Sequence, residues 1–419
     1  MKHLPILCIF LLLFFACNSE KKEEIAKEEE YNYVDPGLSN EELEDKILGM
    51  LVGSAIGDAM GAPTEMWSRE DIDLQYGFVE QLDSMIREVS PEGTWLPNLP
   101  AGGTTDDTRW KELTVNYLLS QDPQSLNSTE FAQYIFDQYS DYVKELKSIK
   151  GVNPSEIEGA TLKLTWLQEW AKVSQPYIEG NVDGYADSLS RFYGGEMVCA
   201  GLLYAPAIGA VFPANPEKAY QEAFKLSIYD IGYARDLSSL AAAMTAAGMK
   251  QGATKEDILS SLRIDPKGYY ESRLVGRTAQ RILVDALRIH HKSLELDSTE
   301  FRLNPKSEGL KYAFAELDQR QQDMPFHAGE IYLQLLTAML YADFDFQGTL
   351  VFLVNYGRDN DTTAAVAGGI LGAFYGFDRL PTSSKEKVIQ VSKELLGIDL
   401  KELAKKLTVH LGQNKKLPN

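Results

Sequence analysis

The sequence predicts a single large domain that is almost entirely α-helical. Apolar residues recur at i, i+3 and i+4 spacing along most of the chain after residue 38, which is the period of one helix face. Alternating patterns typical of strands are scarce, and no internal linker rich in Pro, Gly or Ser divides the chain. Although 419 residues would by length suggest two or three domains, we expect one all-α, multi-helix domain over residues 39–419.

The first helix of this domain has a clear start signal. Ser39 is followed three residues later by Glu42, an arrangement that resembles a capping box. The apolar residues Leu43, Ile47 and Met50 then continue along one helix face. Further helices are expected near residues 110–120, 128–147, 155–173, 197–211, 216–228, 236–250, 270–291, 327–342, 361–376 and 384–396. Residues 71–103 lack this period and are predicted to form a long irregular insertion, which in a compact domain is usually functional.

Two of the predicted helices carry a glycine at every fourth position. Residues i and i+4 share a helix face, and a glycine inside a helix costs about 1 kcal/mol relative to alanine. Close approach of two backbones would explain that cost, so we expect both helices to pack centrally, with packing against each other as one arrangement. A membrane-spanning pair is excluded because Asp58 and Arg379 interrupt or flank runs that are too short. The series are Gly49, Gly53, Gly57 and Gly61, and Gly368, Gly372 and Gly376.

The N-terminus predicts export followed by lipid attachment. Lys2 and His3 precede an apolar run over residues 4–16, which is too short for a membrane span and typical of a signal-peptide core. The run ends in Phe14-Phe15-Ala16-Cys17, which resembles a bacterial lipobox. That resemblance implies removal of residues 1–16 as a signal peptide and lipidation of Cys17. The alternative is a plain secretory signal followed by an unmodified cysteine.

Residues 17–38 are predicted to be a flexible tether after the lipidated cysteine. The blocks at residues 20–24 and 27–30 consist almost entirely of Glu and Lys, and such charge-dense sequence cannot bury enough apolar surface to fold. We therefore expect the domain to lie in the cell envelope, either in the periplasm or on the outer-membrane surface. Its contact with the membrane would be the lipid anchor only.

The acidic composition excludes nucleic acid as a partner. The chain has 61 acidic and 41 basic residues, a formal net charge of −20, and no basic stripe that would oppose this charge. Cysteine usage excludes an internal disulfide framework, because Cys8 lies in the predicted leader, Cys17 is the predicted lipidation site and only Cys199 remains. Cys199 lies in an apolar run and is predicted to be a small buried core residue.

Three clusters of acidic residues lie at predicted helix boundaries. Taken singly, each has an ordinary structural explanation. Asp106 and Asp107 would be first-turn acids favoured by the helix dipole. Asp359 and Asp361 would be a turn residue and a helix N-cap. The clusters are Gly57-Asp58-Ala59-Met60-Gly61-Ala62-Pro63-Thr64-Glu65, Gly102-Gly103-Thr104-Thr105-Asp106-Asp107-Thr108 and Gly357-Arg358-Asp359-Asn360-Asp361-Thr362-Thr363-Ala364.

Taken together, the clusters predict a site for divalent cations. Adjacent carboxylates in a buried helical core repel one another, and no basic partners are recognisable at matching positions. Mg²⁺, Mn²⁺ and Ca²⁺ prefer oxygen ligands, and two cations about 3.5–4 Å apart commonly share several carboxylates. The chain has only five histidines and no His or Cys cluster that would favour zinc.

In this order, the three clusters resemble the motifs of the ADP-ribosylglycohydrolase family, which includes the dinitrogenase reductase activating glycohydrolases. The resemblance covers residues 41–378 and implies an all-α fold of that type with a central binuclear Mg²⁺ site. Its implied metal ligands are Thr105, Asp106, Asp107, Asp359, Asp361 and Thr362. The family segments G-D-x-x-G-x-x-x-E, T-D-D-T and D-x-D-T are matched by Gly57, Asp58, Gly61 and Glu65, by Thr105 to Thr108, and by Asp359, Asp361 and Thr362.

The central part of the chain departs from the family pattern. Many members carry a Thr-His or Ser-His pair near the substrate, whereas the matching stretch here runs from Ser227 to Asp230, with Asp230 in place of His. Residues 193–197 only loosely resemble the central glycine-rich segment of the family. His327 starts a helix and could face the site, with a structural role as the alternative. The metal centre therefore carries over better than the substrate pocket.

The resemblance implies metal-dependent hydrolysis of an ADP-ribosyl or related ribosyl bond. Glu65, which belongs to the first motif but not to the ligand set, is the predicted proton-transfer residue. Asp58 is expected to support the ligands from behind. We expect a small-molecule ADP-ribosyl or ribosyl substrate, with Trp67, Trp95 or Tyr193 as candidates for stacking on a base. The alternative is a non-catalytic, ligand-binding surface lipoprotein with the same fold.

Overall fold

The secondary structure of the chain is helical, as the sequence predicts. The computed structural model describes residues 34–85, 98–122, 125–151, 153–268, 270, 274–297 and 303–413. Within these ranges, the β-type pairing is a single isolated bridge between Val198 and His327. The predicted signal peptide, Cys17, most of the tether and Trp95 lie outside the described residues.

The longest connection between consecutive helices runs from residue 76 to residue 105. Short 3-10 turns at Ala62–Thr64, Phe192–Gly195 and Ala200–Leu203 lie between some of them. In chain order the helices are α1 (Asn40–Gly61), α2 (Arg69–Gln75), α3 (Asp106–Leu119), α4 (Ser128–Ser148), α5 (Pro154–Ile178), α6 (Val182–Leu189), α7 (Ala205–Gly209), α8 (Pro216–Leu226), α9 (Ala234–Gly248), α10 (Lys255–Ser260), α11 (Thr278–Leu296), α12 (Glu308–Asp318), α13 (Ala328–Tyr341), α14 (Phe346–Tyr356), α15 (Asn360–Tyr375), α16 (Thr382–Val391) and α17 (Leu400–Gln413).

Helix α1 is the core helix of the domain. It begins with the predicted capping box, since Ser39 Oγ accepts from Glu42 N at 3.1 Å and Glu42 Oε2 accepts from Ser39 N at 2.8 Å. From Gly49 to Gly61 every residue is buried. By length and composition the segment Asn40–Thr64 would be able to cross a membrane, but its most apolar 18-residue stretch is entirely buried inside the domain. A helix buried all round is apolar all round, as a core helix must be.

Helices α1 and α15 pack against each other in antiparallel directions along their glycines. A β-carbon on Gly53 would overlap the carbonyl oxygen of Gly368, and one on Gly57 would overlap that of Ala364. Gly61 lies in the same way against the backbone of Asp361. The predicted packing of the two glycine series is thus confirmed. It brings the C-terminal end of α1, with the first motif, to the N-terminal end of α15, with the third.

Several predicted elements differ from those observed. The expected helix over 197–211 is broken into a bridge, a 3-10 turn and α7, because Pro206 has no N–H to donate and disfavours helical backbone before it. The expected irregular insertion starts inside α2, where Ser68 Oγ accepts from Asp71 N at 3.2 Å and caps a helix. The helix expected from residue 270 begins at Thr278. Helices α2, α6, α10, α12, α14 and α17 lie outside the predicted helical stretches. Helix α14 is buried on all sides, which removes the amphipathic period.

Candidate active site

The three acidic motifs meet in one cleft at the facing ends of α1, α3 and α15. The empty space of the cleft is about 470 Å³, a volume that includes its part open to solvent. Two sets of side chains surround it, and Cys199 lies where they meet. The carboxylate lining consists of Glu65, Asp106, Asp359, Asp361 and Thr362. The apolar lining consists of Trp170, Tyr193, Val198, Ala200, Leu203 and Phe326.

Asp58 lies behind the carboxylate lining and fixes the start of α3. It is fully buried. Oδ1 accepts from Thr105 N at 2.8 Å and from Thr105 Oγ1 at 3.0 Å. Oδ2 accepts from Thr108 N at 2.9 Å and from Thr108 Oγ1 at 2.6 Å. Burial, and then the charges of Asp107 and Asp361, raise the pKa of Asp58 to about 7. This position favours a supporting role over contact with substrate.

Asp107 links α3 to α15 and has a basic partner. Its Oδ1 accepts from Lys111 Nζ at 2.7 Å, and both side chains are 1 % exposed. Its Oδ2 accepts from Thr362 Oγ1 at 2.9 Å. The expectation that the acids lack basic partners is therefore wrong for Asp107. The spacing would have revealed Lys111, because residues i and i+4 share a helix face.

Asp361 has one satisfied and one unsatisfied oxygen. Oδ2 accepts from Thr105 Oγ1 at 3.1 Å, whereas Oδ1 is buried with no hydrogen-bond partner among the described residues. Burial, and then the charge of Asp107, raise the pKa of Asp361 to about 6. The pKa values of Asp106 and Asp359 are also well above their usual range, first through burial and then through neighbouring carboxylates. Charged acids at these positions call for a compensating cation.

The six predicted metal ligands lie at the N-termini of two helices. Thr105, Asp106 and Asp107 begin α3, and Asp359, Asp361 and Thr362 begin α15. As the side chains stand, no three Asp, Glu, His or Cys residues in the described ranges are gathered closely enough to hold an ion. Asp107 and Asp361 instead accept from threonine hydroxyls, and Asp107 also accepts from Lys111. The orphaned Asp361 Oδ1, within this all-oxygen donor set, nevertheless fits a hard divalent cation.

Glu65 is the acid of the first motif that reaches the cleft. It follows the 3-10 turn Ala62–Thr64 and is 6 % exposed. Its charge contributes to the raised pKa of Asp359, after burial and the charges of Asp361 and Asp107. Glu65 is thus close to the predicted ligands without belonging to them, which is the position that the proton-transfer prediction requires.

Asp230 supports the apolar lining and does not itself line the cleft. It is 5 % exposed, and its Oδ1 accepts from Gly201 N at 2.8 Å while Oδ2 accepts from Ser238 Oγ at 2.6 Å. A β-carbon on Gly201 would overlap the Asp230 carboxylate, so only glycine fits there. Burial raises the pKa of Asp230 to about 6, opposed by these hydrogen bonds. Asp230 thereby holds the 3-10 turn Ala200–Leu203 in place.

His327 has the structural role that was the alternative. It is the N-cap of α13, where its Nδ1 accepts from Gly329 N at 3.2 Å, and it is absent from the cleft lining. Burial lowers its pKa. The strand-like bridge beside it, from Cys199 N to Phe326 O at 3.0 Å, joins two segments of the cleft.

Two further residues line the cleft, the predicted core residue Cys199 and the stacking candidate Tyr193. Cys199 is buried as predicted, but its Sγ lies 3.9 Å from Asp359 Oδ2. Tyr193, one of the stacking candidates, lines the cleft with its ring 5.8 Å from that of Phe326. Trp67 packs instead against Tyr76, at 5.8 Å between ring centroids, outside the cleft lining.

Known proteins share both the sequence pattern and the fold. The ADP-ribosylglycohydrolase family profile matches residues 39–416. The ADP-ribosyl-[dinitrogen reductase] glycohydrolase of Rhodospirillum rubrum is 23% identical over 363 residues, which are 85% of this chain and 95% of that protein. The uncharacterized protein YegU of Escherichia coli (strain K12) is 43% identical over 37 residues, 9% of this chain and 11% of that protein. A solved ADP-ribosylglycohydrolase-related protein complex aligns with a TM-score of 0.53 and 18% identity, covering 88% of this chain and 99% of that one. The chain thus belongs to the ADP-ribosylglycohydrolase family.

Proposed function

We propose that the protein is a divalent-cation-dependent glycohydrolase that cleaves an ADP-ribosyl or related ribosyl bond. The observation that carries this proposal is the arrangement of the three motifs. Two helix N-termini present the six predicted ligands to each other, and Glu65 lies in the same cleft. A family member with this set of side chains has what metal-assisted hydrolysis requires.

The chemistry follows from the positions of the side chains. Hydrolysis at an anomeric carbon passes through an oxocarbenium-like transition state. Two divalent cations, when bound, would supply Lewis acidity toward the ribose hydroxyls and water. The carboxylate of Glu65 takes the proton of the water that attacks the anomeric carbon as the glycosidic bond breaks, and this proton is then passed to the departing group. Asp58 keeps the first turn of α3 in place.

We also propose that the substrate is a small ADP-ribosyl or ribosyl compound and not a modified cytosolic protein. The predicted export signal would place the enzyme away from intracellular protein targets. Tyr193 offers the cleft a ring for stacking. Asp230 stands where many family members have His, but this difference does not support a different contact with substrate, since Asp230 lies behind the lining.

The predicted lipid on Cys17 gives the location: the cell envelope. Replacing Cys17 by Ser should move the protein from the membrane fraction to the soluble fraction. Mass spectrometry that finds an unmodified N-terminus at another residue would contradict lipidation.

The activity is tested on ADP-ribosyl peptides, free ADP-ribosyl conjugates and simple nucleosides, with Mg²⁺ and after EDTA. We expect Mg²⁺-dependent cleavage of a small substrate, and a lower melting temperature after chelation because the acids then repel. A melting temperature unaffected by EDTA or Mg²⁺ would contradict the metal site. Activity confined to ADP-ribosylated protein would contradict the small substrate. Metal binding without any cleavage would favour the non-catalytic, ligand-binding lipoprotein.

A further inference from the structure

Arg358 of the third acidic cluster belongs to an ion pair that includes none of the predicted site residues. Arg358 precedes Asp359, and its guanidinium binds Glu330 through two hydrogen bonds, from Nε to Oε1 at 2.8 Å and from Nη2 to Oε2 at 3.0 Å. The Glu330 side chain is 3% exposed. A bidentate pair with a buried carboxylate fixes both the distance and the orientation of the arginine.

The backbone of Arg358 has an unusual conformation. Its φ is 65°, in the left-handed region that non-glycine residues rarely adopt. In this conformation it forms a two-bond bridge with the two residues that follow the first motif: Arg358 N donates to Trp67 O at 3.0 Å, and Met66 N donates to Arg358 O at 2.7 Å. Such strain persists only where the surroundings hold it in place.

The bridge joins two acids of the cleft. Met66 follows Glu65, and Arg358 precedes Asp359, so the bond between Met66 and Arg358 joins the chain neighbours of two lining carboxylates. The first and third motifs are thereby connected directly beside Glu65, the predicted proton-transfer residue, and Asp359, a predicted metal ligand.

The carboxylate of Glu330 is itself held by the domain. Besides Arg358, its Oε1 accepts from Gln334 Nε2 at 2.9 Å and its Oε2 from Gln322 N at 2.7 Å. Gln334 Oε1 in turn accepts from Thr363 Oγ1 at 3.3 Å, on the first turn of α15. The position of the Glu330 carboxylate is therefore fixed, and its two hydrogen bonds with Arg358 fix the arginine side chain as well.

We propose that Arg358 and Glu330 are a positioning pair, which holds the left-handed turn that sets Glu65 against Asp359. Neither side chain is assigned a contact with substrate. The effect on turnover rests on the proposed glycohydrolase function, whereas the effect on metal affinity does not.

The test uses Arg358→Gly and Glu330→Gln, with Arg358→Lys as the conservative variant. Glycine adopts a positive φ freely, so Arg358→Gly removes the ion pair while permitting the turn. The matched control is Arg69→Ala. It removes another ion pair with two hydrogen bonds, from Arg69 Nη1 and Nη2 to Asp318 at 3.2 and 2.7 Å. Arg69 lines the same surface pocket as Arg358.

The first readout is the affinity for Mn²⁺ alone, measured by calorimetry on the purified protein. Residues that orient metal ligands typically contribute 10–100-fold to affinity. We expect that loss in Arg358→Gly and Glu330→Gln, a smaller one in Arg358→Lys, and none in Arg69→Ala. For turnover we expect kcat to fall about 10-fold or more with KM changed less than about 3-fold, because misplaced catalytic groups affect the transition state most.

Wild-type Mn²⁺ affinity in both Arg358→Gly and Glu330→Gln would overturn the inference, as would an equal loss in Arg69→Ala. If the first two variants do not fold, Arg358→Lys decides by the same comparison. A wild-type protein that binds Mn²⁺ but cleaves no substrate overturns the proposed function, while the Mn²⁺ comparison still decides the positioning role. A wild-type protein that binds no Mn²⁺ overturns both.

Discussion

Each lining of the cleft is supported from behind by a buried aspartate, and the two aspartates differ in their electrostatic surroundings. Asp58 accepts four hydrogen bonds from Thr105 and Thr108 and so holds the first turn of α3 under the carboxylate lining. Asp230 accepts from Gly201 and Ser238 and holds the 3-10 turn Ala200–Leu203 under the apolar lining. In both cases burial raises the pKa of the carboxyl group, to about 7 and to about 6 respectively.

The difference lies in what surrounds each carboxylate. Asp58 lies near Asp107 and Asp361, whose charges raise its pKa further, so its protonation depends on the occupants of the site. For Asp230, burial is the one influence that disfavours the charged carboxylate. Its hydrogen bonds and the charge of Arg235 favour the charged form. The carboxylate lining is therefore electrostatically coupled. The apolar lining should respond to substitutions mainly through local stability.

The largest expected effect is on the carboxylate lining itself. Glu65→Gln keeps the size of the side chain but cannot take a proton, and general acid–base groups typically contribute about 10²–10⁴-fold to the rate. We expect turnover to fall by that factor while Mn²⁺ affinity stays near that of the wild type. Near-normal rates in steady-state assays of this variant would assign proton transfer to another group.

The second effect is on the support of that lining. Asp58→Ala leaves three buried donors, Thr105 N, Thr108 N and Thr108 Oγ1, without their acceptor, while Thr105 Oγ1 keeps Asp361 Oδ2. We expect a loss of about 3 kcal/mol or more in the free energy of unfolding. Urea denaturation measures it. Asp230→Ala, which removes two such bonds, is the comparison and should cost less. Equal losses would show that the two aspartates support the fold alike.

The third effect is the pH dependence of the Asp230 contribution. Because burial raises the folded-state pKa of Asp230 from 3.8 to about 6, its contribution to stability is full at low pH and is lost as the pH rises through about 6. Asp230→Asn does not titrate. From about pH 4 to about pH 7, the unfolding free energy of Asp230→Asn should therefore rise relative to wild type, by at most about 3 kcal/mol. A difference that stays constant between the two pH values would contradict the raised pKa.

The smallest effect is expected where the two linings meet. Cys199→Ala removes a buried sulfur whose contact with Asp359 Oδ2 is 3.9 Å long. We expect about 1 kcal/mol of destabilisation or less, and kcat/KM within about 3-fold of wild type. Thermal denaturation and the standard assay measure both. A 100-fold loss of activity would instead make the thiol part of the reacting site.

Much of the fold follows from local patterns in the sequence. The helical period identifies most helices, and Ser39 with Glu42 marks the start of α1, because helix formation and capping depend on residues three or four apart. Helix α14 escaped this reasoning since it is buried all round and has no polar face. The turn at Ala200–Leu203 was not predicted because the apolar pattern continues unbroken through it, whereas Pro206, in the first turn of the short helix α7, separates the two.

The sequence by itself also determined which residues form the carboxylate lining, since the acids, threonines and glycines of the three motifs stand in a fixed order. Their proximity follows from the glycine series, which let α1 and α15 approach closely enough to bring Asp58 beside the start of α15. Only the tertiary structure decided which partners hold these residues. The contacts of Arg358 with Glu330 and of Asp230 with Gly201 join residues far apart in the chain. Whether such side chains meet depends on how whole helices pack, and no local period or spacing encodes that.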